Sequence, residues 1–406
     1  MLSTIIAIFV GIFCGIFTGL IPGIHINLVS LLIVSFSPFL LKYTDPFSLI
    51  IVIIAMGITH TFLDFIPSIF LGVPEAETAL SILPGHKMVL KGYAFEAIKF
   101  TTVGCFLSVI VTLCLFPFLI WFIPKFSDTV SPYIGIILLA IVIFMTLKEH
   151  GKDKKFWAFF VVTVSGIFGY IVLNFPNLRD PLFPMLSGLF GISMLIDSLK
   201  NNAKIPKQRV TENLEVPKTK MSLAIIASTF AGTLTGFFPG LGAAQASIIG
   251  SMVVGGIKKI GTIAYLALQG GINTTNFIIS LLTFYSIDKA RNGAIIAVQE
   301  IVGDISTVDL LYIVCAILIS AGLAVFLTMF FAKKFSKMIE KVNYIYLSYS
   351  IICLILILCF VFSGFIGLFI LFIATMIGLI PIYVGIGKNH SMGCLLIPVI
   401  LYFLVG

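Results

Sequence analysis

Apolar residues come in long runs along this chain, with only short polar intervals between them. The runs fall at about 2–24, 25–41, 46–72, 101–123, 133–147, 156–173, 183–198, 222–238, 241–257, 262–284, 308–332, 346–362, 364–386 and 391–405. They lack the apolar/polar alternation that barrel strands require. Helices are then the remaining way to satisfy backbone N–H and C=O groups in lipid. Crossing a bilayer takes roughly 20 apolar residues, and several runs reach that length. The pattern predicts an all-α, multi-pass cell-membrane protein of about 12–14 transmembrane or broken helices. The first run has no positively charged start and is followed by Pro22-Gly23, so it reads as a first span rather than a removable signal.

Composition agrees with the pattern. Hydrophobic residues make up 59% of the 406 and charged residues only 10%, too little charge to cover a water-facing surface. Mean hydropathy is +1.17. The net charge of +8 comes from Lys and Arg gathered between apolar runs, not from a basic-aromatic groove, so a nucleic-acid partner is excluded. The seven cysteines show no metal-ligand spacing, and their odd number argues against a disulfide framework.

Three basic intervals are candidates for the cytoplasmic side: Lys148–Lys155, Lys200–Lys220 and Lys333–Lys341. The even numbers of runs between them allow this, and both termini then lie outside. The interval 200–220 is the one long polar segment and reads as a cytoplasmic linker between membrane repeats 1–199 and 221–406.

The two halves carry a shared segment. Gly15, Thr18, Gly19, Pro22 and Gly23 align with Gly232, Thr235, Gly236, Pro239 and Gly240 at a constant offset of 217 (232 − 15). Seven runs precede the second copy, and an odd number predicts that it enters the membrane from the opposite side. Inverted-topology repeats of this kind give alternating access in many secondary transporters. The glycines at every fourth position also suit close helix packing. Packing does not explain the Pro-Gly pairs. Proline removes an amide donor and glycine permits positive φ, so each pair is expected to break its helix. Freed backbone groups at membrane depth must be buried in protein or line a wet cavity. The next helix then starts with bare N–H groups and a positive dipole end, which suits an anion.

Polar residues follow the breaks: His25, Asn27 and Ser30 in the first copy, Gln245 and Ser247 in the second, where Gly242 stands in the place of His25. Asn273, Thr274, Thr275 and Asn276 form a polar cluster in an apolar run and are expected to face substrate, ion or protein. His60 and Asp64 are four apart and share a helix face, which makes Asp64 a candidate for a coupling proton or sodium ion and His60 its tuner; a structural interhelical hydrogen bond is the plain alternative. Glu75 and Glu77 cap a helix start, lie in a pore-side loop or belong to a solvated cytoplasmic face. Asp288, Lys289 and Arg291 take the comparable place in the second half. No further ligands accompany His60 and Asp64, so neither a metal site nor any other cofactor is expected.

The paired Gly-x-x-Pro-Gly segments resemble those of the large permease subunit of tripartite tricarboxylate transporters. A second block strengthens the resemblance: Phe70 to Leu80, then Leu83-Pro84-Gly85-His86-Lys87-Met88, Lys91-Gly92 and Glu96-Ala97. Gln269 to Asn276 is similar to the family's Glu-x-x-Asn-Asn segment. This chain departs from the family in its shorter length and in Ile24-His25-Ile26-Asn27, where a Gly-rich stretch is usual. The resemblance implies a proton- or cation-coupled carboxylate importer with substrate near the paired breaks, Thr18, Gly19, Pro22, Gly23, Thr235, Gly236, Pro239 and Gly240 among its contacts. It also implies a small membrane subunit and an extracytoplasmic binding protein as partners. The expectation is thus a secondary-active permease for small organic anions, not an enzyme. A polyprenyl-phosphate translocase is the alternative, because phosphate also suits helix N-termini. A non-transporting scaffold or sensor would lack an enclosed polar site.

Overall fold

The computed structural model describes residues 2–22, 24–73, 78–176, 178, 180–200, 206–210, 216–238, 242–340 and 344–405, apart from the side chains at 127, 128, 131 and 344. Among them there are helices and no strand. Helix α1 (Leu2–Leu20) stops ahead of Pro22, and α2 (Ile26–Leu40) starts beyond it. Helix α3 (Pro46–Leu63) opens on a proline whose missing amide costs nothing there, and the Asp45 carboxylate caps it at 2.8 Å from the Ser48 amide. Past Asp64 the span continues as α4 (Phe65–Leu71). Then come α5 (Ala79–Val89), α6 (Ala94–Cys114), α7 (Phe116–Val130), α8 (Ile134–Leu147) and α9 (Lys152–Leu173). Helix α10 (Leu182–Leu186) runs through a π-helical turn at Ser187–Ile192 into α11 (Ser193–Lys200). After the linker come α12 (Lys218–Phe237), α13 (Ala243–Val253), α14 (Ile257–Ile260), α15 (Thr262–Ile287), α16 (Gly293–Val302), α17 (Thr307–Ile339) and α18 (Tyr344–Val384). A 3-10 turn at Lys388–Met392 leads into α19 (Gly393–Leu404).

Among the described residues seven helical stretches are long and apolar enough to cross a membrane: α1, α3–α4, α6, α9, α10–α11, α17 and α18. Six shorter apolar helices accompany them. Helix α18 holds two of the predicted runs, because Gly364 (φ +63°, ψ −158°) breaks it where the sequence changes from one run to the next. The predicted run 101–123 is divided instead between α6 and α7. Large apolar side chains stand far out of the protein, Phe365 at 80% and Phe326 at 75% exposed. Lipid is the solvent in which such faces are stable.

The chain forms two compact units. Unit one comprises residues 1–67, 95–127 and 209–336; unit two comprises 68–94, 128–208 and 337–406. Each unit draws on both halves of the sequence.

In unit one, α1 packs along α3 and α12 along α15. Both contacts are as close as a glycine stripe allows. A Cβ on Gly15 would lie 2.6 Å from the Thr59 Cβ, and one on Gly232 would lie 2.7 Å from the Thr275 Cβ. Gly19 abuts Leu63 and the His60 carbonyl; Gly236 abuts Ile279 and the Asn276 carbonyl. These partners differ by 216 positions (275 − 59, 279 − 63, 276 − 60). Element boundaries follow the same rule. The ends of α1 and α12 and the starts of α2 and α13 differ by 217 (237 − 20, 243 − 26), and the starts of α3 and α15 by 216 (262 − 46). Along α3 the contacts Gly57, Thr61 and Asp64 meet Phe277, Thr274 and Asn273 of α15, so the two helices cross antiparallel.

In unit two, α18 packs on the π-helical turn, where a Cβ on Gly378 would fall 2.3 Å from the Leu189 carbonyl. Helix α19 packs on α8 and α9. The linker is not purely a solvated tether: Gln208 is buried, donates to the Val89 carbonyl at 3.0 Å and accepts from the Ala94 amide at 3.1 Å. Its own amide donates to Glu340 at 2.7 Å.

Candidate functional site

The polar residues of unit one converge where α3 meets α15. Asp64 sits at the C-terminal cap of α3 and is 1% exposed. Its Oδ2 accepts from the Asn273 amide at 2.6 Å, across 209 positions of sequence. The Thr274 hydroxyl donates to Thr61 at 3.2 Å and to its own helix at Gly270 at 3.4 Å. The Cys105 thiol donates to the Thr61 carbonyl at 3.5 Å. Thr275 exchanges a hydrogen bond with Thr112 at 3.2 Å, and Ser108 with Ser228 at 2.9 Å. These hydroxyls tie α6 and α12 to the same region.

The first break brings His25 into this neighbourhood. Its Nδ1 accepts from the Asn27 amide at 3.2 Å and so caps α2. Its ring meets the His60 ring edge-on at 5.2 Å. His60, 2% exposed, therefore faces His25 across the α1–α2 connection. The expected helix-face pair thus reaches two separate partners: Asp64 engages α15, and His60 engages the break. Asn27 is exposed, and its Oδ1 accepts from the Ala294 amide at 3.0 Å, which caps the N-terminus of α16. Asn292 accepts a second amide of that helix at 2.9 Å.

Around the second break, Gly242 begins α13 and donates its amide to Gln245 Oε1 at 3.0 Å. Gln245 is thereby a buried capping residue. The Asn276 amide donates to Thr235 at 3.0 Å, and Thr235 donates to Ala231 of its own helix at 3.1 Å. Thr18 is buried and donates to Gly15 at 3.3 Å. Pro22 is buried; Gly23, Pro239, Gly240, Glu75 and Glu77 lie outside the described residues.

The candidates therefore divide in two. His25, His60, Asp64, Asn273, Thr274, Thr235 and Asn276 line the helix crossings between the breaks. Gly19 and Gly236 hold helix pairs together, while Asn27 and Gln245 cap helices. Sequence reading missed Thr61, Cys105, Ser108 and Thr112. Each is a single small polar residue in an apolar run, and only the fold shows that they pair across helices. Among the described residues no group of three or more His, Cys, Asp or Glu is placed to hold a metal ion.

A bundle with apolar outer faces, broken helices and a buried polar crossing is that of a multi-pass membrane protein built around an internal polar region. The chain belongs to the Tripartite tricarboxylate transporter TctA family, whose pattern it matches over residues 5–393. It is a membrane transporter component, from a family whose transporters have partner subunits. An uncharacterised protein of Methanocaldococcus jannaschii is 31% identical over 398 residues, covering 95% of each chain. No solved structure matches.

Proposed function

We propose that the chain is the permease of a secondary-active transporter for small organic anions, carboxylates in the first place, driven by protons or sodium. The observation that carries this reading is the matched pair of helix breaks in one compact unit, with a buried acid-amide contact at the crossing between them. Helix α1 ends and α2 starts in the same register as α12 and α13. Equivalent helices α3 and α15 meet antiparallel, as an axis in the membrane plane would require, and this supports the inverted arrangement of the two halves. Helix starts beyond each break offer amide groups to a carboxylate. Asp64 is the coupling-ion candidate, because a buried acid in a membrane-spanning segment is a functional candidate by default and can take up an ion or proton in the cycle. Asn273 holds it in place. A small membrane subunit and an extracytoplasmic binding protein would deliver the substrate.

Reconstituted protein, with its partner subunits where these are required, should accumulate radiolabelled di- or tricarboxylates when a proton or sodium gradient is imposed. Asp64→Asn should abolish accumulation against a gradient while leaving exchange of bound substrate. No uptake of any carboxylate under either gradient would overturn the proposal, and uptake of polyprenyl phosphate instead would replace it.

A further inference from the structure

Unit two contains a buried lysine that the proposed transport site does not use. Lys388 is 7% exposed and reaches into the π-helical turn Ser187–Ile192. In an α-helix the Ser193 amide would bond the Leu189 carbonyl. Here it bonds the Gly188 and Gly191 carbonyls instead, which frees Leu189 from the backbone ladder. Two side chains then take that carbonyl: the Ser193 hydroxyl donates to it at 2.7 Å and the Lys388 ammonium at 3.3 Å. The same Nζ donates to the Phe190 carbonyl at 3.3 Å and to Ser193 Oγ at 2.8 Å. Its three protons thus meet three oxygens, and the Phe190 ring lies 6.0 Å away. The Asp197 carboxylate, one turn beyond Ser193, acts on it electrostatically.

The approach of the ammonium is fixed by its own turn. His390 and Glu149 pair at 3.0 Å, Glu149 lies 3.5 Å from the Gly387 amide, and Ser165 donates to the His390 carbonyl at 3.4 Å. Lys200, the nearby cation on α11, points to the Tyr383 ring instead.

We infer that the π-helical turn carries a monovalent-cation site, built from the Leu189 and Phe190 carbonyls and the Ser193 hydroxyl, which the chain fills with its own ammonium. Ammonium and potassium are alike in charge and size, and carbonyl oxygens suit both. In the native chain the tethered group supplies the cation, so unit two makes no demand on an external ion. Once the ammonium is removed, the oxygens are left without a donor and the site opens to small monovalent cations.

The test compares Lys388→Ala with the native protein in nanodiscs, in methylammonium, potassium or choline chloride at matched ionic strength. The variant should melt roughly 5 °C lower in choline, because buried acceptors have lost their donor. Methylammonium should recover at least half of that loss and potassium part of it, in a saturable way, while the native protein responds equally to all three salts. Equal response of Lys388→Ala to choline and methylammonium would overturn the inference, as would a Lys388→Met chain as stable as the native one. If Lys388→Ala does not assemble, Ser193→Ala serves: it keeps the ammonium, loses its shortest contact and should melt a few degrees lower. An unchanged melting temperature there also defeats the site.

Discussion

Replacing Asn273 by Ala removes the donor that lies 2.6 Å from the Asp64 carboxylate. Both side chains are shielded, Asp64 at 1% and Asn273 at 4% exposure, so water is poorly placed to substitute. A hydrogen bond to a charged group contributes about 1.5–3 kcal/mol, and one to a neutral acid about 1 kcal/mol. With Asp64 ionised, the bond falls in the stronger, charge-assisted class. We therefore expect Asn273→Ala to lower stability by about 2 kcal/mol, roughly a thirtyfold shift in the unfolding equilibrium. Asp64→Asn keeps an acceptor in the same place and should cost less than about 1 kcal/mol, so its loss of gradient-driven uptake cannot be blamed on unfolding. Unfolding in mixed micelles titrated with SDS, followed by circular dichroism, supplies the free energies for Asp64→Ala, Asn273→Ala and the double variant. The cycle should return a coupling of about 1.5 kcal/mol or more. Coupling within about 0.5 kcal/mol of zero, the limit for independent sites, would refute the claim that these helices are joined through this pair.

Three further outcomes follow from local geometry. A Cβ on Gly104 would sit 1.9 Å from the Ala267 carbonyl, whereas one on Gly322 would meet nothing within 4 Å; Gly104→Val should cost about 3 kcal/mol or prevent assembly, and Gly322→Val should be neutral in the same micelle assay. Gly364 has open space but a φ of +63°, so Gly364→Ala should cost about 1–3 kcal/mol from backbone strain alone. Asp45 precedes its span, and the Ser48 hydroxyl and amide hold its carboxyl below the usual carboxylate range. A lowered value means that the cap stabilises fully above about pH 4 and fades as pH falls through the depressed value. Asp45→Asn keeps the cap without the titration, so its melting temperature should fall less than that of the native protein between neutral and strongly acid pH.

The helices and their breaks were legible because a bilayer leaves the sequence few choices. Long apolar runs, Pro-Gly pairs and glycines at every fourth position state their requirements locally. The glycine stripes at Gly15–Gly19 and Gly232–Gly236 do pack against neighbouring helices, as the spacing demands. What stayed hidden is set by pairing over long distances. Nothing near Asp64 names Asn273, and the i, i+4 rule pointed to His60, because it knows only one helix. Asn27 looked like a binding residue because it follows a break, yet it caps a helix that starts 266 positions later (293 − 27). Lys388 drew no expectation from the sequence, since a π-helical turn leaves no mark in a run of apolar residues. Gln208 was assigned to a polar linker by its neighbours, although its amide is buried in unit two.

The matched registers of unit one also show where its two helix pairs stop being equivalent. The offset changes from 217 to 216 between the start of α2 and the start of α3, so the one-residue difference falls in the connecting region. Break and partner helix therefore keep their relative positions in both pairs. At equivalent positions on α3 and α15 the side chains differ: His60 corresponds to Asn276, Asp64 to Ser280 and Gly57 to Asn273 (276 − 60, 280 − 64, 273 − 57). Gly57 has no side chain and admits the Phe277 ring, while Asn273 fills the corresponding place and bonds Asp64. Ser280 turns back to its own helix at 2.8 Å and carries no charge. Thus the backbone is paired and the charge is not: a single carboxylate lies on one side of the crossing. Under the proposed coupling, an ion neutralising Asp64 would act on one helix pair only, and a substrate between the breaks would meet an imidazole on one side and an amide on the other. Exchanging the two, His60→Asn with Asn276→His, keeps the packing register and reverses that polarity. The change should preserve folding and alter the dependence of uptake on external pH. If both properties stay native, the asymmetry at this pair of positions has no part in coupling.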